Sequence, residues 1–172
     1  MNQILNFLEK LFTARISFKR LLRYALFIFL SLLAQNMVLN RVRILGVCPL
    51  ILPAVVVAVA MFQTPVKGAL FGLVLGFFAD MAFVENSITF TVLFPALAFA
   101  SGFISEFFIN RRFFAYMGAA LGALLATGIV QMLLTAAGDS FSVTMIRTVL
   151  LQTLWALPFA AVAYIPAERL SE

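Results

Sequence analysis

Histidine is absent from this 172-residue chain and cysteine occurs once, as Cys48. Without histidine there is no imidazole to act as the base of a Ser-His-Asp triad and no histidine-bearing zinc site. A single cysteine leaves nothing for an internal disulfide. Charge is scarce as well: 12 Lys and Arg with 7 Asp and Glu make up 11% of the residues, against about 25% in an ordinary globular domain. Ahead of the C-terminal end, Asp80 and Glu85 are the only acids near one another, and Glu85 falls in an expected loop, so a carboxylate pair for acid-base work is missing. No glycine loop of the phosphate-binding type occurs. Together these gaps point away from an enzyme and away from any bound metal or cofactor.

What is present is apolar. Hydrophobic residues make up 64% of the chain, where about 45 to 50% is usual. Residues 24–40, 44–66, 68–79, 86–105, 113–138 and 148–167 contain no charge at all. A bilayer core of about 30 Å takes roughly 20 apolar helical residues, so the pattern predicts an all-α polytopic membrane protein, a bundle of six transmembrane helices. The expected spans are 22–39, 47–62, 67–84, 88–108, 113–137 and 143–165, within one domain at 22–168. The connections are too short for a soluble domain. Residues 1–21, with Ile4, Leu5, Leu8, Leu11 and Phe12 at three- and four-residue spacing, predict a cytoplasmic amphipathic helix lying on the membrane surface. Cleavage as a leader is not expected, because the positions around Leu32, Leu33 and Ala34 lack the small-x-small pattern. Residues 169–172 form a short tail.

The net charge of +5 does not imply nucleic acid, because Lys10, Arg15, Lys19, Arg20 and Arg23 crowd beside the first span. There they orient the chain or meet membrane lipids. Placing the N-terminus inside puts those five with Lys67, Arg111, Arg112 and Arg169 on the cytoplasmic side, and only Arg41, Arg43 and Arg147 outside. Both termini are therefore expected on the cytoplasmic side of the membrane.

With the spans oriented, polar residues gather toward the outer side: Gln35 and Asn36 on span 1, Asp80 on span 3, Gln131 on span 5, Arg147 and Gln152 on span 6. Such groups are costly in hydrocarbon and face protein or water, so they suggest an outward-opening polar cluster or docking surface. Gly68, Gly72 and Gly76 recur every four residues and Asp80 continues the series. Glycines at that spacing admit another helix closely, so Asp80 is expected against protein, with Arg147 as candidate partner. Gly118, Gly122 and Ala126 form a second small-residue stripe on span 5, either packed inside the bundle or open as a groove for a partner's helix. The run Gly138-Asp139-Ser140-Phe141-Ser142 has the look of a hydrolase serine motif, but no base exists to activate the serine.

The basic N-terminus, the opening Cys48-Pro49-Leu50-Ile51-Leu52 and above all the stretch from Gly68 through Gly72 and Gly76 to Asp80 resemble the MreD family of rod shape-determining membrane proteins. The likeness covers roughly residues 22 to 168. It implies a non-enzymatic component of the bacterial cell-elongation machinery, or elongasome, that associates with an MreC-like single-span protein and through it with the filament system and the polymerase and transpeptidase of peptidoglycan synthesis. Gly72, Gly76 and Asp80 match the family's signature. In length and span number the chain is also similar to the vitamin-binding S components of energy-coupling factor transporters. Those carry an alanine-xxx-alanine docking motif on span 1, whereas here that spacing falls at Ala54 and Ala58 on span 2.

Overall fold

The computed structural model describes residues 18–39, 41, 46–82, 88–107, 113–138 and 143–171. The expected surface helix at 1–21 therefore lies almost wholly outside the described residues. The described chain folds into six helices and no strand. Helix α1 runs Phe18–Leu33 and continues as a π-helical segment, Ala34–Leu39; α2 is Leu52–Phe62, α3 Pro65–Ala82, α4 Thr89–Phe107, α5 Phe113–Gly138 and α6 Val143–Ser171. Three of these, α3, α5 and α6, are long and apolar enough to cross a membrane, while α1, α2 and α4 contain shorter apolar stretches.

Three boundaries depart from the sequence reading, the first being that α1 starts at Phe18, four residues ahead of the expected 22 and inside the expected 1–21 segment. Helix α6 continues beyond residue 165 through Pro166 to Ser171. The second expected span, 47–62, is helical only from Leu52, with Pro53 in its first turn. Proline in a first turn is pre-set for a helix, where its missing N–H would have had no intrahelical partner, and Pro49 four residues earlier disfavours helical geometry at Cys48. Gly46, at φ 82°, takes the left-handed conformation that glycine favours just ahead of this segment.

This short α2 is the centre of the molecule. Every residue from Leu52 to Met61 is at most 4% exposed or falls in the buried class. Its sequence, valine and alanine with no polar side chain, carries no stripe because it needs none: a helix apolar all round is one with neighbours all round. Helices α3, α4, α5 and α6 each pack on it. The neighbours offer small residues, such as Ala98 of α4, Ala120 of α5 and the series Ala156, Ala160, Ala163 and Ala167 of α6, all buried. Helix α1 leans against the outside of α3, with the Tyr24 and Phe27 rings each 6.2 Å from that of Phe71.

The outer faces invert the usual pattern. Leu26, Phe29, Leu70, Phe77, Val92, Phe103, Leu133 and Leu154 are all exposed, far more apolar surface than a water-soluble monomer shows.

Candidate functional site

The glycine stripe of α3 is a seam closed from within. A β-carbon on Gly68 would stand 2.8 Å from the Cα and Cβ of Ala60, and one on Gly72 would stand 2.8 Å from the Phe94 carbonyl oxygen. At Gly76 it would overlap the Phe90 carbonyl. Helix α3 thus lies with its backbone almost directly on α2 and α4, a separation only glycine allows.

Asp80 completes the seam. Its Oδ1 accepts from the Phe90 amide at 3.0 Å; its Oδ2 accepts from the Thr91 amide at 2.7 Å and the Thr91 hydroxyl at 2.6 Å. The first turn of any helix leaves its N–H groups without intrahelical partners. Here a carboxylate from a neighbouring helix supplies the cap for α4, with its negative charge at the favourable end of the helix dipole. Asp80's partners are therefore the backbone and hydroxyl at the start of α4, where the sequence pointed to Arg147. Arg147 is exposed on α6.

A second polar clamp holds the break before α2. Gln35, 1% exposed, donates from Nε2 to the Pro49 carbonyl at 3.0 Å and accepts at Oε1 from the Ile51 amide at 2.9 Å. Both ends of one amide thus serve backbone groups that the missing helical turn leaves unpaired. The π-helical segment of α1 begins one residue before Gln35. Further along α2 the Tyr116 hydroxyl donates to the Ala160 carbonyl at 2.7 Å and, at a longer 3.4 Å, to that of Ala54; the Ser105 hydroxyl reaches the Met61 carbonyl at 3.4 Å. Non-helical backbone in an apolar setting is tolerated only where protein satisfies it, and Gln35 of α1 does so here, while Ser105 of α4 and Tyr116 of α5 reach carbonyls of helical residues.

The remaining sequence candidates are dispersed. Gln131 and Gln152 are half-buried on α5 and α6, and neither bonds to Asp80. Gly118 and Gly122 are exposed, with nothing within 4 Å of a β-carbon built on either; Ala126 is half-buried beside them. This second stripe lies on the side of α5 opposite Tyr116, Ala120 and Thr127, which are buried. The two stripes that look alike in the sequence therefore have opposite fates: α3's is filled by α2 and α4, and α5's is open.

Chemically, the arrangement holds helices together. Among the described residues no group of three His, Cys, Asp or Glu side chains could hold a metal ion. Of the polar residues that matter most for the bundle, Gln35 was expected in the outer polar cluster without its role as a clamp, and Ser105 and Tyr116 were not candidate site residues in the sequence. Gln35 had a readable signal: an amide pair, Gln35-Asn36, within an apolar run, ahead of a segment bracketed by Pro49 and Pro53. No family model, curated protein or solved structure matches this chain.

Proposed function

We propose that this protein is a non-enzymatic membrane scaffold that receives the transmembrane helix of a single-span partner on the open face of α5. The observation that carries the reading is the contrast between the two small-residue stripes. In lipid, helices associate through close packing at small residues and gain nothing from exposing glycine to acyl chains. Gly118 and Gly122 expose it, and a partner helix seated there would gain the close approach that α4 gains at Gly72 and Gly76.

The reading takes all six helices as crossings of a bacterial inner membrane, with both termini cytoplasmic. For α2 the helix Leu52–Phe62 alone spans about 16 Å at 1.5 Å per residue, so this reading needs the non-helical residues 47–51 to make up the rest of the crossing. Combined with the resemblance carried by Gly72, Gly76 and Asp80, it makes the protein an MreD-type component of the rod-shape machinery, its partner an MreC-like single-span protein linked to peptidoglycan synthesis. The vitamin-transporter alternative loses support at its docking motif, because Ala54 and Ala58 are wholly buried in α2 and present no surface to an energising subunit.

The test is co-purification from mild detergent with Gly118→Leu and Gly122→Leu together. Loss of the single-span partner from a variant that still elutes as a folded monodisperse species, with loss of rod shape in the cell, is the expected result. Undiminished partner recovery and normal cell shape would rule the open stripe out as the docking face.

A further inference from the structure

The close approaches of the bundle fall into two groups. The first ties α1, α2, α3 and α4 into one body. The Gln35 amide joins α1 to the backbone ahead of α2, and Asp80 of α3 caps α4. Gly68, Gly72 and Gly76 bring α3 onto α2 and α4, and a β-carbon on Gly102 of α4 would stand 3.0 Å from the Pro65 Cα and 3.2 Å from the Ala60 carbonyl oxygen. The second group ties α5 to α6: a β-carbon on Gly128 would stand 2.6 Å from a methyl of Val149, and the Tyr116 hydroxyl donates to the Ala160 carbonyl at 2.7 Å.

What joins the two bodies is of another kind. Helix α6 buries alanines, Ala156, Ala160, Ala163 and Ala167, and α2 is valine and alanine; side chains so short make shallow ridges that interlock little. The Tyr116 contact to the Ala54 carbonyl, at 3.4 Å, exceeds the usual length of an O–H···O bond. Firmer packing comes at the Phe62 end of α2, where the Phe62 ring lies 5.3 Å from that of Tyr164, itself 5.4 Å from Phe113 and 5.2 Å from Tyr116. Ala54 with Ala160 and Phe62 with Tyr164 set α2 and α6 parallel. Helix α6 from Val143 to about Leu157 therefore runs on past Leu52, the first helical residue of α2, by about 20 Å. In that far half Gln152 is half-buried, and the Trp155 Nε1 is the one buried side-chain polar atom among the described residues without a hydrogen-bond partner.

From this division we infer that α5–α6 is a movable hairpin: it rocks against α2 about the rings of Phe62, Phe113, Tyr116 and Tyr164, and its far half parts from the α1–α4 body to open a cleft that admits water to Trp155. A buried donor without an acceptor costs free energy that hydration recovers, so the stranded indole narrows the gap between the closed and open positions. The inference needs neither a partner nor a family resemblance.

The test is pulsed electron resonance on the full chain in lipid nanodiscs, with Cys48→Ser and spin labels at exposed positions. Val92→Cys with Leu150→Cys spans the two bodies in their far halves, Ile104→Cys with Val162→Cys spans them nearer the rings, and Leu30→Cys with Val92→Cys lies within the first body. The first pair should give a broad or two-peaked distance distribution and the other two a single narrow peak. Equal widths in all three overturn the proposal, as does a broad second pair beside a narrow first. Trp155 is the only tryptophan, so the wild-type chain supplies a second reading without substitution. Iodide, which stays in water, should quench part of its emission in nanodiscs, whereas complete protection would sink the cleft.

Discussion

Asp80 takes both protons that Thr91 offers, the amide at 2.7 Å and the hydroxyl at 2.6 Å. Removing the carboxylate in Asp80→Ala leaves two amides at the start of α4 without an acceptor. A lost cap costs about 0.5 to 2 kcal/mol and a stranded buried donor about 1 to 3, so a loss near 3 kcal/mol is expected in detergent unfolding. Thr91→Val, which removes one bond, should cost about 1 kcal/mol. Arg147→Ala should stay within about 0.5 kcal/mol, the usual range for a surface change; a loss as large as that of Asp80→Ala would restore the ion pair the sequence suggested.

Gln35→Leu keeps volume and removes both halves of the clamp. The Pro49 carbonyl and the Ile51 amide then stay buried and unpaired, a loss of about 2 to 4 kcal/mol, read as a lower melting temperature in detergent. Gln35→Glu keeps the acceptor for Ile51 but sets a carboxylate against the Pro49 carbonyl, so it too should destabilise. Wild-type stability in Gln35→Leu would mean the clamp contributes nothing.

The two glycine stripes should respond oppositely to the smallest possible change. In Gly76→Ala the new methyl group collides with the Phe90 carbonyl, and separating α3 from α4 should cost about 2 kcal/mol or more. In Gly118→Ala there is open space, and replacing glycine within a helix should gain about 0.5 to 1 kcal/mol for the isolated protein. Thermal unfolding of both variants side by side checks the pair, and equal responses would contradict the inward and outward assignment.

Tyr116→Phe deletes a hydroxyl that joins α5 to α6 and, more loosely, to α2. Both carbonyls it reaches sit inside helices, so their removal from the bond strands little, and a modest loss of about 1 kcal/mol is expected. Hydrogen exchange at the amides of α2 should quicken with it, whereas unaltered exchange would place the helix's stability entirely in packing.

Much of the architecture was legible because solvent writes it into composition. Charge-free windows located all six helices, and the ends of α4 and α5 fall within a residue or so of the expected 88–108 and 113–137. Residue 52 as the true start of α2 was hidden, because hydropathy cannot distinguish a non-helical apolar segment from a helical one; the Pro49 and Pro53 pair was the signal to weigh. That Asp80 turns toward protein followed from the Gly68, Gly72, Gly76 series, but its partner did not. A capped backbone amide carries no side-chain identity for a sequence to display, whereas Arg147 advertises itself. The same limit applies to the stripes: Gly72 and Gly118 read alike, and only the position of α4 separates them.

The burial of α2 also sets an order of assembly. Gln35 precedes the backbone it serves by 14 and 16 residues, so it is at hand as soon as that backbone emerges. Ser105 and Tyr116 come 44 and 62 residues after their acceptors. While the ribosome makes those later helices, α1 is the natural escort for α2, and the two should leave the translocation channel as a pair that waits for the rest of the protein to close around it.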